Sequence, residues 1–279
     1  MKIAILDDYQ NITKDLECFK LLKRFDVTIF NTPEKDTEIL SKKLSDFEII
    51  VLTRERTQIS EELLSKLPNL KLISQTGKIS NHLDLASCNK HKVAVAEGSG
   101  SPIAPAELTW ALIMNVVRQI PSAMKGMKQG KWQTNIGSSI YGKTIGIWGY
   151  GKIGKRIAKY ADAFGAEVIV WGSETSREQA VLDGFKMASS KEIFFTSSDI
   201  VTVHLRLNEK TFGIIKEGDL KMMKPSASFI NTARAELVEL GALIKCLNTG
   251  RPGFAGIDVY EEEPIYNTNF KLLRMPNVV

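Results

Sequence analysis

The sequence predicts an α/β protein built from two blocks of parallel sheet. Two patterns carry this prediction: short β-branched runs alternating with helical stretches, and one sharp break in that alternation near residue 100. In the first block, Lys2–Leu6, Val27–Phe30, Ile49–Leu52, Leu72–Ser74 and Val93–Val95 are apolar runs of strand length. Helical patterns such as Ser60-Glu-Glu-Leu-Leu-Ser-Lys-Leu67 lie between them, with Ser60 placed as an N-cap for the free amides of the first turn. Glu97-Gly-Ser-Gly-Ser-Pro102 interrupts the rhythm and reads as a hinge, so the domains are expected at 1–100 and 101–279. One long apolar helix is expected from Pro105 to Met127, ended by the polar stretch Gly130 to Gly142.

The second block opens at Lys143. Its expected strands are Ile145–Trp148, Glu167–Trp171, Ile200–His204, Ser228–Asn231 and Ala255–Val259, each followed by turn or helix signals. Gly165 stands where a helix C-terminus needs a residue of left-handed conformation.

Composition narrows the function. With 43% hydrophobic and 25% charged residues, the 279-residue chain is an ordinary globular protein, long enough for two cores. The net charge of +5 is spread along the chain, without the dense basic stripe of a nucleic-acid binder, and suits an enzyme whose ligands are anions. Cys18, Cys88 and Cys246 are far apart and form no CxxC pattern, so neither a disulfide framework nor a metal site is expected, and a reducing cytoplasm is the expected compartment. No apolar run reaches membrane-spanning length.

The most informative motif is Gly149-Tyr-Gly151-Lys-Ile-Gly154, which follows a strand-like run and opens a helical pattern. In such a turn the first glycine makes the tight bend. The second admits the backbone to a pyrophosphate, and the third lets helix and strand approach closely. The helix N-terminus offers unpaired N–H groups to the phosphates, with Lys152 and Ile153 as the donors. The alternative is a merely tight βα turn. Ligands of doubly wound sheets gather at the carboxyl ends of the strands, which singles out Gly149, Gly151, Trp171-Gly172-Ser173, His204, Asn231-Thr232-Ala-Arg234 and Asp258.

Three stretches then resemble one family in order and spacing: Gly142-Lys-Thr-Ile-Gly-Ile-Trp-Gly-Tyr-Gly-Lys-Ile-Gly154, Met223-Lys-Pro-Ser-Ala-Ser-Phe-Ile-Asn-Thr-Ala-Arg234 and Ala255-Gly-Ile-Asp-Val-Tyr-Glu-Glu-Glu-Pro264. Together with Gln75-Thr-Gly77 and Pro105-Ala-Glu107-Leu upstream, they make the chain similar to the D-isomer-specific 2-hydroxyacid dehydrogenases along essentially its whole length. The resemblance implies a flavodoxin-like substrate domain and a Rossmann NAD(P)-binding domain, a nicotinamide cofactor, a small 2-keto or 2-hydroxy acid as substrate, and a homodimer paired through the cofactor-binding domain.

By that resemblance Arg234 holds the substrate carboxylate, for which a planar fork of donors is suited; a surface or capping arginine is the alternative. Glu263 matches the carboxylate that orients a catalytic histidine, although Glu261 and Glu262 beside it also fit a solvated acidic turn. Asp258 matches the contact to the nicotinamide carboxamide, or else a turn cap. Thr232 is expected beside the nicotinamide ring. His204 and Leu205 are expected along the adenosine side, and Lys78 and Ile79 at the substrate carboxylate, with a solvated lysine as the alternative for Lys78.

The chain departs from the family pattern twice. Where the family usually has an Asp bonded to the ribose, Gly172 stands here, followed by Ser173, Ser176 and Arg177. Loss of that carboxylate and gain of an arginine favour NADP over NAD. The sequence also ends at Val279, before the segment that carries the family's general-acid histidine and its helix returning to the first domain. The leading expectation is hydride transfer between NAD(P)H and a small 2-keto acid. The alternative is a shortened, weakly active dinucleotide-binding remnant or sensor.

Overall fold

The computed structural model describes residues 1–279 and divides into two compact units, Met1–Gly100 and Ser101–Val279. In the first unit, β1 (Lys2–Ile5), β2 (Asp26–Ile29), β3 (Ile49–Leu52), β4 (Leu72–Gln75) and β5 (Ala94–Glu97) form an all-parallel sheet of order β2-β1-β3-β4-β5. Helices α1 (Thr37–Leu44), α2 (Glu61–Ser65) and α3 (Leu85–Lys90) supply the crossovers. Leu40 and Leu44, Leu63 and Leu64, and Cys88 meet Leu6, Ile50, Leu52 and Ile73 in one core on this face. The alternate residues Ile49, Val51 and Leu72 are only half-buried on the other face.

Side-chain caps begin each of these helices. Asp36 accepts from the amides of Glu38 and Ile39, Ser60 from Leu63 at 3.2 Å, and Asp84 from Ala86. Two short 3₁₀ turns, Thr13–Asp15 and Glu17–Leu22, link β1 to β2 and carry no periodic signal in the sequence.

The second unit begins with α4 (Ile103–Val117) and α5 (Ile120–Lys128). Here the expected single helix from Pro105 to Met127 is corrected. Gln119 takes a left-handed conformation with φ 51°, and Pro121 cannot continue a helix because it lacks an N–H and its ring crowds the carbonyl four residues back. The chain therefore restarts as α5.

The sheet contains β6 (Thr144–Trp148), β7 (Glu167–Trp171), β8 (Lys186–Met187), β9 (Ile200–Val203), β10 (Ser228–Asn231) and β11 (Phe254–Ile257) in the parallel order β11-β10-β9-β6-β7-β8. The two-residue edge strand β8 is too short to show in the sequence. Helices α6 (Lys152–Ala163) and α7 (Glu174–Leu182) cover one face with α4, through Ala106, Ile113, Ile157, Ala158, Ala161 and Ala180. The other face is covered by α8 (Lys191–Ser197), α9 (Glu217–Lys221) and α10 (Ala242–Asn248), through Phe194, Phe195, Leu220, Leu243 and Leu247. A last turn, α11 (Lys271–Arg274), precedes residues that bond to β11 through Ala255 and Ile257.

The helix after the glycine loop ends as its sequence predicts. Gly165 has φ +71°, its amide donates to Asp162, and the Ala166 amide donates to Ala161, which together satisfy two terminal carbonyls. No helix is long and apolar enough to cross a membrane.

Candidate dinucleotide and acid-binding residues

In the second unit the strand order reverses at β6. The chain runs outward through β7 and β8 on one side and through β9, β10 and β11 on the other. Loops leaving β6 and β9 therefore diverge, and the crevice between them is where an open parallel sheet receives a ligand. The glycine loop occupies that point. Gly149 has φ +101°, and a Cβ there would stand 2.7 Å from the His204 carbonyl oxygen, so no other residue fits. At Gly154 a Cβ would fall 2.1 Å from the Gly149 carbonyl oxygen, so only glycine lets α6 approach β6 this closely. Gly151 differs from both. It is the N-cap of α6, and a Cβ there would meet nothing within 4 Å. The space at Gly151 is open, and the first-turn amides of Lys152 and Ile153 border it.

Neighbouring strand ends add the rest of the edge. The Gly149 amide donates to Trp171 and the His204 amide to Trp148, which ties the ends of β6, β7 and β9 together. Gly172 lies against this loop, since its Cβ would be 3.7 Å from the Gly149 nitrogen. Leu205 reaches over Gly149, its Cδ2 3.2 Å from where a Cβ would stand. Ser173 caps α7 by accepting from the Ser176 amide at 3.3 Å. Arg177 lays its guanidinium 4.9 Å from the Trp171 ring centroid, and its buried Nε has no hydrogen-bond partner.

The His204 ring sits beside Thr202 Oγ1, with Nε2 3.1 Å away. Burial pushes its pKa from 6.5 down to about 4, so the ring is neutral at physiological pH.

At the end of β10, buried Asn231 shapes the turn that follows. Its Oδ1 accepts from the Ala233 amide at 3.0 Å and its Nδ2 donates to the Arg234 carbonyl at 2.8 Å. Thr232 is fixed from the side by Thr109 of α4, their hydroxyls 2.7 Å apart, while Thr109 also donates to the Pro105 carbonyl. The sequence marks Asn231 only as a strand end and gives Thr109 no role. Thr109 is a polar residue on an apolar helix, and that was the available signal. Arg234 is half-buried, with Nη1 donating to the Ala233 carbonyl at 2.6 Å. The Asp258 amide donates to the Asn231 carbonyl at 3.1 Å, which puts Asp258 beside this turn.

Glu263 is exposed, and its Oε1 accepts from the Tyr260 amide at 3.0 Å. This bond closes a turn from Tyr260 to Glu263. Burial, then the charges of Asp258 and Glu263, push the Tyr260 phenol upward. In the first unit, Lys78 pairs with Glu97, and the Ile79 amide donates to the same carboxylate at 3.1 Å.

A six-stranded, doubly wound parallel sheet with a glycine loop at its switch point defines a dinucleotide-binding α/β protein. Comparison with known proteins gives the family. Residues 110–279 match the model of the D-isomer specific 2-hydroxyacid dehydrogenase, NAD binding domain. A glyoxylate reductase of Thermococcus litoralis is 32% identical over 93% of this chain and 81% of its own length. The crystal structure of a phosphoglycerate oxidoreductase from Vibrio cholerae O395 is 50% identical, with a TM-score of 0.96 over 100% of this chain and 90% of that one. A D-lactate dehydrogenase of Aquifex aeolicus, solved with NAD and lactic acid, is 25% identical with a TM-score of 0.78 over 99% of this chain and 86% of that one. The chain belongs to the D-isomer specific 2-hydroxyacid dehydrogenase family. It is accordingly an oxidoreductase of the nicotinamide-dependent class that acts on CH–OH groups.

Proposed function

We propose that this protein transfers a hydride between NADP(H) and a small 2-keto or 2-hydroxy acid of the glyoxylate or hydroxypyruvate kind. The single observation that carries the reading is the open space at Gly151, set between two glycines that the fold itself requires. The dinucleotide, when bound, supplies or accepts the hydride.

Each residue has a task set by its own chemistry. Lys152 and Ile153 direct first-turn amides at the pyrophosphate, aided by the partial positive charge of a twelve-residue helix. His204 and Leu205 line the adenosine side, and a neutral His204 adds no charge there. Ser173 and Arg177 receive the 2′-phosphate. The unpartnered Nε of Arg177 supports this assignment, because an incoming acceptor would satisfy a donor that is otherwise buried without one. Thr232, locked by Thr109, and Asp258 hold the nicotinamide end. Arg234 turns its guanidinium toward the substrate carboxylate and polarises the adjacent carbonyl. In the first unit, Lys78 and Ile79 supply an ammonium and a backbone N–H suited to a carboxylate. Glu263 is the carboxylate that would orient an imidazole.

Pairing of two copies through the second unit completes the proposal, together with a cytoplasmic location. The apolar side chains on and after α5 support a pairing surface there: Trp132 and Ile136 are 74% and 94% exposed, and Met124 and Met127 are more than half exposed.

The test is oxidation of NADPH followed at 340 nm with glyoxylate and with hydroxypyruvate, repeated with NADH and with Arg234→Ala. Turnover that prefers NADPH and is lost in the variant supports the reading. Tight dinucleotide binding without turnover on any 2-keto acid would favour a sensor instead.

A further inference from the structure

The loop after β4 reaches the end of β5 through paired contacts. The Gly98 amide donates to both the Gln75 carbonyl at 3.0 Å and the Gly77 carbonyl at 2.9 Å. A Cβ at Gly98 would come within 3.0 Å of the Gly77 nitrogen, so the two backbones are in close approach. Glu97 pairs with Gln75 in the sheet register, one residue before this junction. Its carboxylate therefore falls on the loop itself. One oxygen takes the Lys78 ammonium and the other accepts from the Ile79 amide at 3.1 Å.

A backbone N–H and an ammonium converging on the two oxygens of one carboxylate make a carboxylate-binding set. They are also the two donors assigned to the substrate. We propose that Glu97 is an internal carboxylate that occupies these donors and that a ligand's carboxylate must displace. Acid binding at this loop is then an exchange of one carboxylate for another. Glu97 is thereby a positioning residue: it holds Lys78 and the Ile79 amide in their binding arrangement and sets the affinity the ligand must exceed. The contact is exchangeable because it is wet. The Lys78 side chain is 56% exposed and that of Glu97 36%, which puts the pair among surface ion pairs of small net strength. The proposal rests on the reading that Lys78 and Ile79 hold the substrate carboxylate.

The experiment is titration of the protein, with NADPH present, by oxamate, a non-reducible analogue of a 2-keto acid. Its readouts are the dissociation constant and the ¹⁵N shift of the Ile79 amide in isoleucine-labelled protein. Glu97→Gln removes the competing charge at nearly constant size and should tighten oxamate roughly 2–5-fold, the range expected for an exposed pair. It should also move the Ile79 resonance before any ligand is added. Glu97→Asp keeps the charge but withdraws it by one methylene, and should fall between the two. Lys78→Met should weaken oxamate. Weaker or unchanged binding in both Glu97 variants, with weakening in Lys78→Met, overturns the exchange and leaves the loop as the acid site. No effect of Lys78→Met and no shift of Ile79 on adding oxamate overturns the loop assignment, and the exchange with it.

Discussion

Acid should take stability from this protein through His204. The ring is held neutral by burial, with a pKa near 4 in the folded protein against 6.5 in the unfolded chain. Between these values the unfolded chain binds a proton that the native state refuses, so stability is fully present above pH 6.5 and falls as the pH drops toward 4. At about 1.4 kcal/mol per pH unit, the loss reaches roughly 2 kcal/mol by pH 5 and levels off near 3 kcal/mol at pH 4 and below. These are ceilings, because the ring keeps some contact with solvent. Carboxylates also titrate in acid, so the assay is a difference. Urea denaturation of the wild type and of His204→Gln, run from pH 7 to pH 4, isolates the imidazole. The glutamine keeps a polar group beside Thr202 and cannot take up a proton. Glu61, held down from 4.5 to about 2 chiefly by Lys90 and then His91, begins to take stability near pH 4.5 in both proteins alike, and so cancels in the difference. The gap between the two stability curves should change by 1–3 kcal/mol in favour of the variant across the window, on the order of the shift. Parallel curves would refute the claim that His204 is buried neutral at the strand end.

Other perturbations should have separable effects. Ser60→Ala removes the acceptor of the Leu63 amide and should cost about 1 kcal/mol in urea denaturation, with dinucleotide binding unchanged. Gly154→Ala places a methyl against the Gly149 carbonyl and should destabilise by about 1–3 kcal/mol, read from the same denaturation curves. Arg177→Ala should raise the KM for NADPH about 10–100-fold, the loss expected for hydrogen bonds to a charged group, and leave the KM for NADH nearly unchanged.

What the sequence disclosed depended on how local each signal was. The strands were legible because Ile49–Leu52, Glu167–Trp171 and Ile200–Val203 are β-branched runs bounded by turn residues. The Ser60 cap and the Gly165 terminus were legible because a cap involves residues within one turn. The break between α4 and α5 was signalled by Pro121, but an apolar pattern continuing past it outweighed the missing N–H. In the site, the glycine loop was legible because its spacing follows from the turn it makes. The Thr109–Thr232 contact and the Glu97 carboxylate on Lys78 and Ile79 were not, since they join residues 123, 19 and 18 positions apart through tertiary packing. Glu263 shows the reverse case: its motif was legible, and the local hydrogen bond to the Tyr260 amide was not.

The central claim is that the carboxyl edge of the six-stranded sheet holds a dinucleotide at Gly151. Gly151 touches nothing within 4 Å of its would-be Cβ and its φ of −87° suits any residue, so Gly151→Val should stay folded and lose only about 1 kcal/mol as a poorer N-cap of α6. Fluorescence titration with NADPH should nevertheless show at least a tenfold weaker complex, about 1.4 kcal/mol, because the new side chain fills the space meant for the pyrophosphate. Undiminished NADPH affinity in a normally folded Gly151→Val protein would contradict the account.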